Sequence, residues 1–146
     1  FMTVGAFGVV FAASRQGEGC KTISDFSGMS KHRPFLAGLM ALFMLSLAGM
    51  PPTAGFVGKV WLFGAAIQSG YIALALVGIL TTLLSFYYYL RVVVVMWMHE
   101  DDKGLDYDQT PFSHSLAITL AAFGILLLGF FPNIIMKVIS SGTAGL

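Results

Sequence analysis

Long apolar runs set beside charge-dense segments constrain this chain more than any other feature. Three stretches, 35–69, 72–98 and 114–139, are almost wholly apolar. Each exceeds the roughly 20 helical residues that cross a hydrocarbon core about 30 Å thick. Of fifteen charged residues, twelve fall outside these runs in two segments. Residues 14–34 hold Arg15, Glu18, Lys21, Asp25, Lys31 and Arg33, and residues 99–113 hold Glu100, Asp101, Asp102, Lys103, Asp106 and Asp108. Only Lys59, Arg91 and Lys137 remain, so the map of charge is also a map of topology.

Composition closes off the alternatives. The chain is 57% hydrophobic and 10% charged, whereas a soluble domain carries about 25% charged residues. So few charges cannot cover a globule in water, and so much apolar sequence does not belong to a disordered chain. A net charge of +1 offers nothing to nucleic acid. The single cysteine, Cys20, builds neither a disulfide framework nor a cysteine zinc site. The fold class that remains is all-α, a polytopic bundle of transmembrane helices.

The first run is too long for one straight span, since its helix would extend roughly 50 Å. It also contains Gly49, Pro51, Pro52 and Gly55. Proline lacks an amide hydrogen, its ring obstructs the preceding turn, and it drives the residue before it out of helical geometry. Two half-helices joined by an unwound segment near 49–55 are therefore expected. Runs 72–98 and 114–139 suit single tilted helices. The apolar stretch 1–13 is too short to span and lacks the basic region and cleavage site of a signal peptide. It reads as the end of a helix whose beginning lies upstream, in a longer chain.

Two spans separate segments 14–34 and 99–113, so both lie on one side. Together they carry five Lys or Arg, which makes that side cytoplasmic. Trp97 and Tyr71, near opposite ends of one run, suit the aromatic belts at the two interfaces, whereas Trp61 fits less well.

Lys59 is the sharpest chemical feature, ten residues inside its apolar run. An ionisable side chain near the bilayer centre costs about 2.5–3.5 kcal/mol or more, and such residues usually face a bundle interior or a water-filled path. Snorkelling to the headgroups is the structural alternative. It would have to cover about 15 Å, beyond easy reach of a lysine stem. A lysine that gains and loses a proton at this depth is a relay element. All seven acids lie in the two charged segments, so if Lys59 has a carboxylate or histidine neighbour in the membrane, it comes from an upstream part or from another chain. The break supports the relay, because discontinuous helices set polar ends and free carbonyls at membrane depth. An ordinary proline kink is the plainer alternative, and Gly55 and Gly58 also suit simple helix packing.

Thr81, Ser85 and Tyr88 share a helical face, and Tyr87 and Tyr88 precede Arg91 by four and three residues. This polar stripe could line a hydrated path, with Arg91 as a charge partner. Hydrogen bonding between helices, with Arg91 near the cytoplasmic boundary, explains it slightly better. His32, His99 and His114 lack the spacing of a metal pair, Lys137 sits where it can snorkel, and no phosphate loop or nucleophile motif is present. The eight methionines are packing material.

Three segments carry a resemblance to a known family. LSLAGMPPTAGFVGK over 45–59 resembles the discontinuous twelfth helix of the antiporter-like subunits of respiratory complex I, the bacterial NADH-quinone oxidoreductase. YYYLRVVVVM over 87–96 is similar to the next helix of one such subunit, and TVGAFGVV over 3–10 to the end of the helix before. The span 114–139 fits by position alone. The resemblance implies the last quarter or so of a fourteen-helix chain that carries protons, driven by electron transfer elsewhere in the complex. It implies that Lys59 belongs to a central row of ionisable residues. It implies no cofactor on this chain, with NADH, FMN, iron–sulfur clusters and quinone on partner subunits in the bacterial cytoplasmic membrane. Cation/proton antiporters and membrane-bound hydrogenases share the broken helix, and a purely structural membrane subunit is the reading from another class.

Overall fold

A computed structural model describes residues 2–13, 22–99 and 112–131. Among these, the ordered elements are all helical. Helix α1 is Met2–Ala13, followed by a 3-10 turn Ile23–Phe26 and a single turn α2, Met29–His32. Helix α3 is Pro34–Ala48, α4 is Ala54–Gln68, α5 is Ile72–Met98 and α6 is Phe112–Phe130.

The charge-dense segment 14–34 holds short helical turns where it is described. Thr22 and Asp25 form a capping box, with the Thr22 amide donating to Asp25 Oδ2 at 2.9 Å. Reciprocal capping of this kind starts a helical turn in spite of the charge. Pro34 then opens α3 at its first position, where a missing amide hydrogen costs nothing. Arg33 reaches back to donate from Nη1 to the Ala12 carbonyl at 3.5 Å, against the end of α1. A cation there meets the negative end of the helix dipole.

Helix α3 is the centre of the bundle, contacted by α1, α4, α5 and α6. Its Ala37 and Phe43 are wholly buried, as are Val9 of α1, Met29 of α2 and Met96 of α5. The Phe43 ring lies directly on the backbone at Gly5 of α1. Outward faces are apolar instead: Leu80, Leu83 and Leu84 of α5 are exposed. Among the described residues, Ile72–Met98 is the one helix long and apolar enough to cross a membrane unaided. Helices α3 and α4 have 15 residues each, about 22 Å apiece, so neither spans alone. The unwound segment between them is Gly49–Thr53. It is two residues shorter than the expected 49–55, because Gly55 already lies in the first turn of α4.

Residues 14–21, with Cys20, residues 100–111 and the last part of the run 114–139, with Lys137, lie outside the described residues. Helix α6 ends at Phe130, two residues before Pro132, where proline chemistry ends helices.

Candidate functional site

The site is built from the end of α3. Gly49 takes φ +87°, ψ 41°, a left-handed conformation that an L side chain would strain. Its amide donates to Leu45 and Ser46, both at 3.1 Å, and the Met50 amide donates to Leu45 at 3.0 Å. This is a Schellman end, which satisfies some of the last carbonyls and leaves others open. Thr53 restarts the chain from extended geometry, with its hydroxyl turned back to the Met50 carbonyl at 2.7 Å. Gly55 then sets the backbone of α4 directly against the Ser46 carbonyl. A side chain on Gly55 would have no room.

This close crossing brings Lys59, on the second turn of α4, to the open end of α3. Its Nζ donates to the carbonyls of Leu47 and Ala48, each at 2.9 Å. An ammonium has three donors and no acceptor, and two are accounted for here. The end of a helix carries roughly half a negative charge, so the cation is held by charge as well as by hydrogen bonds. A Cβ on Gly49 would lie 2.9 Å from Lys59 Cδ and 3.0 Å from Nζ. Glycine thus serves twice at position 49: it turns the chain and leaves space for the lysine.

Within this chain, Lys59 is partnered by two backbone carbonyls. The signal for open carbonyls was present, since a glycine followed by two prolines after an apolar helical run marks a helix end with free carbonyls. Ser46 was missed. Its side chain is wholly buried, and its hydroxyl has no hydrogen-bond partner among the described residues.

The second group of candidates is not brought to this site. Thr81 donates its hydroxyl to Val77 at 3.1 Å and Gly78 at 2.9 Å, and Ser85 donates to Thr81 at 2.8 Å. Both hydroxyls are taken up by the backbone of their own helix. Tyr88 is exposed and packs edge-on to Tyr87 at 5.8 Å. Arg91 is exposed on the same helix. Of the break residues, Gly49, Pro51 and Pro52 lie in the unwound segment, and Gly55 lies beyond it. Among the described residues no cluster of metal-ligating side chains forms.

These features define a class first: a polytopic helix bundle with one discontinuous helix whose broken end holds a cation. Residues 1–85 match the family described as NADH:quinone oxidoreductase/Mrp antiporter, TM, and the chain belongs to it. It is a membrane protein. It is 44% identical over 137 residues to NADH-quinone oxidoreductase subunit N of Trichlorobacter lovleyi, covering 94% of this chain and 28% of that protein. It is 43% identical over 140 residues to subunit N of Geotalea uraniireducens, covering 96% of this chain and 30% of that one. A solved structure, respiratory complex I from Thermus thermophilus with bound aureothin, contains a similar chain. That match has TM-score 0.78 and 27% identity, over 93% of this chain and 32% of the other. The chain therefore spans under a third of the length of these relatives.

Proposed function

We propose that this chain serves in a proton-translocating membrane subunit, of the subunit N type, of a bacterial NADH-quinone oxidoreductase. Electron transfer takes place on partner subunits, which hold NADH, FMN, iron–sulfur clusters and quinone. The chain sits in the cytoplasmic membrane among the other membrane subunits, with segments 14–34 and 99–113 on the cytoplasmic side. Lys59 relays the proton.

One observation carries this reading: the Lys59 ammonium rests on the Leu47 and Ala48 carbonyls at a break in a membrane helix. The carbonyls fix the position of the ammonium. A proton leaving Nζ removes the charge that the end of α3 attracts, so the hold weakens as the proton moves on. Pro51, Pro52 and Gly49 keep the segment unwound, so its carbonyls stay available to the lysine. The experiment is Lys59→Ala in the full complex, with proton ejection followed in sealed vesicles during NADH oxidation. Loss of ejection with normal assembly is expected. Normal ejection overturns the relay.

The family description also includes antiporters, which gives a second reading as a cation/proton antiporter subunit. Sodium-driven proton movement without NADH would favour it.

A further inference from the structure

Helix α4 carries Lys59 but is thinly anchored along its length. Gly55 is its one buried residue. Farther along, Phe63 lies over Gly78 of α5, an aromatic contact that can give by rotation. The rigid contacts are at the start, backbone against backbone. One is Gly55 on the Ser46 carbonyl. The other comes from α6, the helix whose sequence carried no diagnostic motif. A Cβ placed on Gly129 would run into the Pro52 carbonyl, and would lie 2.8 Å from the Thr53 carbonyl carbon and 2.9 Å from the Ala54 nitrogen. Backbone has no rotamer with which to move aside. Elsewhere on the same helix Gly124 has open space around its Cβ position.

We propose that Gly129 is a positioning residue for Lys59. Its bare backbone seats the last residues of the break and the first of α4, and so sets where α4 begins. From Ala54 to Lys59 is about 7.5 Å along the helix. A shift of the seat is therefore carried directly to the ammonium and to its two hydrogen bonds. This role rests on the relay reading of Lys59.

The test uses the full complex in membranes, with Gly129→Ala, Gly124→Ala and Lys59→Ala prepared in parallel. Electron transfer, protons ejected per electron and the pH profile of ejection are measured for each. Displacement on the order of 1 Å at a reacting group can cost about a hundredfold in rate. A fall of at least about threefold in protons per electron is expected for Gly129→Ala, with electron transfer kept and the pH profile moved. Gly124→Ala should match the unaltered complex. The inference is overturned if Gly129→Ala ejects protons normally, or loses ejection only in proportion to assembled complex with an unmoved pH profile. Failure of Gly129→Ala to assemble beside a normal Gly124→Ala also overturns it, since Gly129 is then a packing residue alone. If Lys59→Ala ejects protons normally, the relay reading itself fails. If only Lys59→Ala loses ejection, the relay stands and the role of Gly129 does not.

Discussion

The pair α3–α4 and the single helix α5 are built from similar material and do different things with it. Both are apolar, and each carries one cation at some depth, Lys59 in the first and Arg91 in the second. In α5 the ladder of backbone hydrogen bonds is unbroken over Ile72–Met98. Its hydroxyls fold back on that ladder, and Arg91 stays exposed on the outer face. In α3–α4 the ladder stops at Gly49, and two freed carbonyls receive the lysine. A cation in a membrane helix acquires an internal partner when the backbone itself is made available. The proline and glycine residues do that work, and among the described residues no acidic side chain shares in it.

The comparison is sharpened first by Gly55→Ala. A methyl group there meets the Ser46 carbonyl, and overpacking of this kind costs about 1–3 kcal/mol. A clear fall in the melting temperature of the solubilised complex is expected. Gly49→Ala comes next. The left-handed backbone costs an L residue about 1–2 kcal/mol, and the methyl also presses on the Lys59 stem. Both stability and proton ejection should fall. Ser46→Ala should be neutral or stabilising by up to about 1 kcal/mol, because it removes a buried hydroxyl that has no partner among the described residues. A marked loss of stability would mean that the hydroxyl has a bond after all. Thr81→Ala and Ser85→Ala should change stability by less than about 0.5 kcal/mol and leave ejection unaltered. A large loss from either would break the contrast between the two regions.

Much of this was legible because membrane sequences separate their signals. The limits of α5 coincide with the apolar run 72–98, set between Gly70 and the acidic segment. The break announces itself through Gly49, Pro51 and Pro52, whose backbone chemistry needs no tertiary context. The helical turns over 22–32 were hidden by charge, although Thr22 and Asp25 stand at capping-box spacing. Free carbonyls at the break were legible, but their contact with Lys59 depends on how α4 crosses the end of α3, which no local pattern shows. The close seats at Gly55 and Gly129 were illegible for another reason. A glycine in an apolar helix looks the same whether a backbone lies against it or nothing does, as Gly124 demonstrates.

The most direct test sets the two cations side by side. Lys59→Ala and Arg91→Ala are introduced separately into the full complex, and protons ejected per electron are measured in sealed vesicles. Loss of ejection is predicted for Lys59→Ala, with little change for Arg91→Ala. Equal ejection by the two variants, or loss confined to Arg91→Ala, would contradict the claim that the broken helix and its lysine carry the proton.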